Sequence, residues 1–470
     1  MQWSVADLTR ATGGEVLYGG GDRIFAGIGI DSRTVEAHMV FVALRGENHD
    51  GHRFIDQVVA EGVRGIVVER TARAPLDHES WRDRGVTCVA VDDTILALGA
   101  MAAYQRSRFP IPVVAITGSN GKTTTRQMTT RVMEQKYRVL ATQGNLNNEI
   151  GLPLTLFNLS GTHQAAVVEL GMNHAGEIDR LGAICRPTIG MITNVGPAHL
   201  EFLGSMEAVA SAKEELVRHI EPQGHVVLNR DDPYVFAMAS RASCAATFFG
   251  THPEAHVRAE AIETRSKGTA FTMVLPAQRL PVQLNVTGRF MVGNALAAAA
   301  VGHLAGIEGG QIKAALEAFQ PVGGRLEALQ LKNGVHVIDD TYNANPASMA
   351  AAFESFNELK GSDRGYLILG DMLELGDQAA QLHRYVGELA AKSRPVKIYA
   401  YGEYAGSVVQ GAHSAGMSEK NLFTGSKNAI ASDVIQRLAT GDWVLVKGSR
   451  GSAMETVVEA IRKWSEDASD

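Results

Sequence analysis

The sequence predicts an α/β fold in three domains: a small N-terminal α/β domain, a central P-loop ATPase-like parallel sheet with an antiparallel extension, and a C-terminal Rossmann-like α/β domain. Three observations predict it. The chain has 470 residues, too many for one compact core when domains run at roughly 150 residues each. Short apolar runs alternate with helix-period segments in two separate stretches, the rhythm of parallel strands covered by helices. Between those stretches the texture changes to alternating, turn-rich sequence.

Residues 1–110 mix short strands with helices. The prolines of "PIPVV" favour extended chain and mark a joint after residue 110. Beyond it "VVAIT", "AAVVEL" and "TIGMITNV" read as buried strands, and residues 122–134 and 205–219 as helices. The runs "TAFTMVLP" and "RLPVQLNV", within about residues 244–290, suggest the antiparallel extension. After "FQPVGGRLE" the earlier rhythm returns, with "VHVIDD", "GYLILGD", "VKIYAYG" and "DWVLVKGS" as strands and residues 346–357 and 378–391 as helices. The expected domains are therefore 1–110, 111–320 and 321–470.

Composition narrows the function. Lys plus Arg total 44 against 51 Asp plus Glu, a net charge of −7, which argues against a general polyanion binder and leaves no expectation of a nucleic-acid partner. Cys88, Cys185 and Cys244 lie far apart without metal-ligand spacing, as in a cytosolic protein with free thiols. The N-terminal "MQWSVADLTRATGG" lacks a signal-peptide core, and no segment approaches the ~18 apolar residues of a membrane span. A cytoplasmic location without stable membrane insertion is expected.

The most informative stretch is "VVAITGSNGKTTTRQM". A strand leads into Gly118, Ser119, Asn120, Gly121, Lys122, Thr123 and Thr124, and a helix follows. Glycines let the backbone wrap an anion, amide N–H groups converge on it, and the helix N-terminus adds a favourable dipole. Lys122 would reach β- and γ-phosphates and the Thr123 hydroxyl would bind Mg²⁺. The general P-loop pattern places glycine at 116, where this chain has Ile116, so the loop is tighter. Nucleotide binding follows, but the loop alone does not choose among kinase, GTPase, motor and ligase. Glu169 ends the run "AAVVEL", so its carboxylate would emerge at the sheet edge where ligands of open α/β sheets sit and could share that Mg²⁺. His199 follows another strand and would reach the same edge.

Further stretches narrow the choice: "DSRTV", "TQGNLNNEIGLP", "VVELGMNHAGEI", "ITNVGPAHLEFLGS", "SAKEEL", "GRFMVGNALAAA", "GGRLE", "IDDTYNANPASM", "LGDMLELG" and "VKGSRGSAME". In this order, with the phosphate loop, they resemble the Mur ligase family, the ATP-dependent amide-forming enzymes of peptidoglycan synthesis. The combination "GNLNNEIG", "ELGMNHAGEI" and "DDTYNANP" is similar to the branch that joins D-alanyl-D-alanine to UDP-MurNAc-tripeptide.

The resemblance implies roles that spacing alone does not supply. His199 would take a second metal ion. Lys213, in a helical run where lysine is ordinarily solvated, would be carbamylated and then ligate magnesium. Asn294 would pair with adenine, Arg325 would reach the γ-phosphate from the C-terminal domain, and Asp340 would lie near the ATP ribose, the last two as loop residues. "DSR" and "NHDGH" resemble a uridine-binding region with Ser32 as the contact. Asn147 and Asn148 would meet the substrate near the reacting centre, and Asn343 and Asn345 the incoming dipeptide. Lys122, His199, Lys213 and Arg325 are thus the expected catalytic set, and the implied chemistry is amide formation through an acyl phosphate.

Overall fold

The computed structural model describes residues 2–46, 49–72, 77–265, 268–320 and 323–467. Asn48 of the expected uridine-binding stretch and residues 321–322 of the expected hinge lie outside the described residues. Three open sheets organise the rest, each with parallel strands and helical crossovers.

The first sheet has five strands in the spatial order Glu15–Tyr18, Thr87–Val91, Gly65–Glu69, Val40–Val42 and Ile28–Gly29. Only Glu15–Tyr18 pairs antiparallel. The helix Thr94–Ser107 then carries the chain to the central sheet, packing against the helices Gly151–Phe157 and Glu177–Cys185. Buried Arg106 at its end donates to the carbonyls of Cys185 and Ile111, at 2.9 and 3.1 Å, and also to that of Phe109. The proline joint is thus clamped by a cation on backbone acceptors, and one apolar core runs continuously beneath it from Trp3 to Met238.

The central sheet has nine strands. Val113–Thr117 lies inside it with every residue buried, flanked in parallel by Ala165–Glu169 and Ile189–Ile192. Register sets Glu169 beside Ile116 and Ile192 beside Thr117, so the strand ends open onto one edge. The antiparallel extension is shorter than the texture suggests. Ala245–Gly250 runs parallel to His225–Asn229 and to Val257–Arg265, and the only antiparallel pairings are those of Gly268–Leu275 with Val257–Arg265 and with Gln278–Leu284. Alternating sequence reports half-burial, not strand direction.

The C-terminal sheet has six strands, ordered Glu327–Gln330, His336–Asp340, Trp443–Lys447, Gly365–Leu369, Lys397–Ala400 and Leu422–Thr424; all but the first pair are parallel. The loop after Gly365–Leu369 is pinned from below by His383, which is 1% exposed on the helix Ala379–Lys392. Its Nε2 accepts the Met372 N–H at 2.9 Å and its Nδ1–H donates to the Ala379 carbonyl at 2.7 Å.

Burial holds this imidazole below its ordinary pKa, against the pull of the Ala379 carbonyl and of Asp371, 3.8 Å away. A native ring that refuses a proton which the unfolded chain binds makes stability fall as pH drops below about 6.5. The loss is at most ~1.4 kcal/mol per pH unit for one group. Thermal unfolding of wild type between pH 7.5 and 5.5 should therefore show a steeper decline than His383→Gln; equal slopes would refute the assignment.

Candidate active site

The loop after Val113–Thr117 is built around the lack of a side chain at Gly118. Its φ is 149°, and a Cβ there would sit 1.9 Å from Thr193 Oγ1. The neighbouring strand end ties the loop down: Asn194 accepts the Ser119 N–H through its carbonyl and the Asn120 N–H through Oδ1, at 3.0 and 2.8 Å. Thr193 Oγ1 donates to the Asn120 carbonyl at 2.7 Å. Gly121, at φ 78°, begins the helix Lys122–Met133, and no side chain caps that helix. Its first-turn N–H groups are therefore open to an anion. Ile116 is buried within the strand, so the glycine expected there by the general motif has no turn to make.

Lys122 folds back so that its Nζ donates to the Gly118 carbonyl at 2.7 Å. Desolvation lowers its pKa, with Glu169 opposing. One helical turn on, buried Arg126 places Nε 3.3 Å from Glu169 Oε2, and neither atom has a hydrogen-bond partner. The other carboxylate oxygen, Oε1, accepts from Asn147 Nδ2 at 2.8 Å. Glu169 thus keeps one orphaned buried oxygen beside the phosphate loop.

Lys213 overturns the surface reading that its helical run invites. It lies on the inward face of Met206–Arg218, beside Val209 and Ala212, and is 1% exposed. No hydrogen bond or ion pair reaches its Nζ among the described residues. Burial, with repulsion from Lys122, drives its pKa well below the ordinary lysine value, which shifts the balance toward the neutral amine. Lys122, Arg126 and Arg325 outweigh Glu169 and Glu374 here, which suits a polyanion such as a triphosphate.

The donor set fits Mg²⁺ in one specific way. Thr123 and the Glu169 oxygen that faces Arg126 without a hydrogen bond are hard oxygen donors, yet no group of three or more His, Cys, Asp or Glu is arranged for a metal among the described residues. Magnesium sites built from one or two carboxylates plus substrate phosphates have this character. Such an ion would enter with the nucleotide.

Side chains from the C-terminal region complete the site. Arg325 Nη2 donates to Thr123 Oγ1 at 3.1 Å while its guanidinium stacks over Tyr342, 3.8 Å from the ring centre. Asn345 Nδ2 donates to Asn120 Oδ1 at 2.7 Å. His199 Nδ1 meets Glu374 Oε2 at 2.7 Å. That bond holds the Glu374 carboxyl below its usual range against the effect of burial. Both residues have left-handed backbone, φ 58° and 62°.

Comparison with known proteins places this geometry. Family models match residues 24–106 ("Mur ligase family, catalytic domain"), 116–302 ("Mur ligase middle domain") and 324–450 ("Mur ligase, glutamate ligase domain"). The UDP-N-acetylmuramoyl-tripeptide–D-alanyl-D-alanine ligase of Escherichia coli (strain K12) is 36% identical over 466 residues, covering 98% of each chain. The chain belongs to the Mur ligase family. Its fold is shared by MurF from Acinetobacter baumannii, with TM-score 0.90 and 34% identity over 98% of this chain and 99% of that one. A Thermotoga maritima MurF ligase crystallised with ADP gives TM-score 0.83 and 27% identity over 94% and 98% of the two chains. Among the described residues no helix is long and apolar enough to cross a membrane.

Among the other residues expected from the Mur ligase resemblance, Asp340 departs from its loop reading. Asp340 is not a solvated loop residue: it ends the strand His336–Asp340, is buried, and accepts from Lys447 Nζ at 2.6 Å and from the Leu326 N–H at 3.2 Å. Burial raises its pKa although Lys447 opposes this. Asn294 lies within the helix Arg289–Leu304; its Oδ1 accepts from Thr125 at 3.1 Å and abuts Gly121, so it braces the loop from beneath. Asn148 accepts the Gly151 N–H at 2.8 Å, and Asn345 caps the helix Pro346–Lys360. The Asn343 carbonyl accepts from Lys447 and its Oδ1 from the Ala344 N–H. Ser32 lies in the Asp31–Thr34 turn, half-buried, and no hydrogen bond joins it to the loop among the described residues.

Arg126 and Glu374 were missed by the sequence reading. For Arg126 the signal was present, since residues four apart share a helix face and Lys122 is four before it. Glu374 stands in "LGDMLELG", but only the tertiary fold carries it to His199.

Proposed function

We propose that the chain is an ATP-dependent amide ligase that joins D-alanyl-D-alanine to UDP-MurNAc-tripeptide, giving UDP-MurNAc-pentapeptide for peptidoglycan synthesis, and hence serves cell shape and division in the cytoplasm. The observation that carries this reading is the meeting of Arg325 and Asn345 with Thr123 and Asn120. A phosphate loop completed by a distant part of a chain that matches such ligases over nearly its whole length suits a reaction needing closure over ATP. The domain division at 110/111 and 320/321 belongs to the same proposal, with the uridine end of the substrate near Ser32, the reacting centre near Asn147 and Asn148, and the dipeptide near Asn343 and Asn345.

A free carboxylate is a poor electrophile, so it must first gain a leaving group. The terminal carboxylate oxygen of the tripeptide attacks the γ-phosphorus, the bond to the β,γ-bridging oxygen breaks, and acyl phosphate and ADP result. The D-alanyl-D-alanine amine then attacks the acyl carbon, loses a proton, and phosphate leaves from the tetrahedral intermediate. The loop amides and Lys122 hold the β- and γ-phosphates. Arg325, now on the Thr123 hydroxyl, turns to the γ-phosphoryl charge. Asn294, which braces the loop through Thr125, would meet the adenine, and Asp340, held by Lys447, would lie near the ribose.

Mg²⁺ would be held by Thr123 and Glu169, and a second ion by His199 and Lys213, neutralising the anionic partners as they approach. Lys213 qualifies once carbamylated: its neutral Nζ attacks CO₂, an N–C bond forms, a carbonyl electron pair moves to oxygen, and an N–H proton leaves. The partnerless, buried amine supports this step.

The test is phosphate release from ATP and Mg²⁺ with both substrates, omitting each in turn and weighing the product. Release that needs every component, with the pentapeptide mass, is expected. Turnover with a single amino acid in place of the dipeptide would move the chain to a sister ligase, and release indifferent to both substrates would refute the reading.

A further inference from the structure

We infer that Glu374 is a positioning residue for His199: by accepting the Nδ1–H it fixes the tautomer whose Nε2 is open to a divalent cation, and it makes that cation's binding depend on the C-terminal domain. The inference rests on the reading of His199 as a cation ligand given above. His199 Nδ1 and Glu374 Oε2 are 2.7 Å apart, while no hydrogen bond occupies His199 Nε2 among the described residues. A metal-binding imidazole ordinarily donates its other ring N–H to a carboxylate, which sets ring orientation and raises ligand basicity.

The contact is built from both sides. His199 precedes the short helix Leu200–Leu203 with φ 58°, and Glu374 has φ 62°. The Glu201 N–H reaches the Glu374 carbonyl at 3.4 Å, and a Cβ on Gly376 would lie 2.9 Å from Glu201 Cα, so the two segments are closely apposed. Behind Glu374 its loop is anchored, the Met372 N–H to His383 and the Leu373 N–H to Ser449 Oγ at 3.0 Å. An ion pair whose carboxylate is 43% exposed returns less stability than left-handed backbone at two non-glycine residues costs. A purely stabilising role therefore does not account for the geometry, whereas strain held at a ligand-bearing residue does.

Mn²⁺ titrated into the full-length protein with a non-hydrolysable ATP analogue and UDP-MurNAc-tripeptide, read by electron paramagnetic resonance, tests this. His199→Ala should abolish one class of bound Mn²⁺. Glu374→Ala should weaken the same class about 10- to 100-fold. Glu374→Gln, whose amide oxygen still accepts the N–H, should weaken it less than about tenfold, and its thermal unfolding checks that the fold is kept. Wild-type Mn²⁺ binding by Glu374→Ala beside a loss in His199→Ala would overturn the inference and leave the His199 reading standing. Equal losses in Glu374→Ala and Glu374→Gln would show that charge, not the tautomer, matters and would also overturn it. No effect of His199→Ala would remove the reading itself and the inference with it.

Discussion

Lys122→Met should lower kcat on the order of 10³-fold while leaving the protein folded. The ammonium is the only lysine charge attached directly to the phosphate loop in this arrangement of described contacts, and its bond to the Gly118 carbonyl holds it over the open helix N-terminus. Charge grows on the β,γ-bridging oxygen as the phosphoryl group moves, so the interaction strengthens toward the transition state and its loss falls mainly on kcat. The structural part is small, since one hydrogen bond contributes about 1 kcal/mol to stability. Steady-state kinetics with an unfolding control separates the two; a variant with unchanged kcat and raised KM for ATP would mean that Lys122 binds ATP without helping transfer.

Lys213→Ala should lose on the order of 10²-fold in activity, and added acetate or formate should restore part of it. A small carboxylate placed in the vacated space would supply the anion that the proposed carbamate would provide. Lys213→Met separates chemistry from folding. Methionine keeps much of the volume and removes a buried amine with no partner, so this variant should be inactive yet no less stable. Undiminished activity in Lys213→Ala would eliminate the carbamate.

The phosphate loop was legible because its signal is contiguous: strand, glycines, lysine and helix follow one another in a few residues, and register then carries Glu169 to the same edge. Strand positions in the C-terminal domain were legible for the same reason, as short apolar runs at regular spacing. Tertiary partners were not. The pair Asp340–Lys447 is separated by 107 positions, and no local pattern announces that a carboxylate after an apolar run will be buried against a lysine. Lys213 was placed by resemblance, since a lysine among alanines and glutamates looks solvated until its helix packs against Glu177–Cys185. The contacts of Asn294 were not legible either: its Oδ1 accepts from Thr125 and lies where a side chain on Gly121 would have to sit.

What the loop is for can be read from the oxygen it transfers. With the terminal carboxylate of UDP-MurNAc-tripeptide labelled with ¹⁸O, activation through an acyl phosphate carries one labelled oxygen into the phosphate released alongside pentapeptide. Labelled phosphate appearing only when ATP and D-alanyl-D-alanine are both present is the expected result. Unlabelled phosphate, its new oxygen drawn from water, would mean that the site hydrolyses ATP without activating the carboxylate.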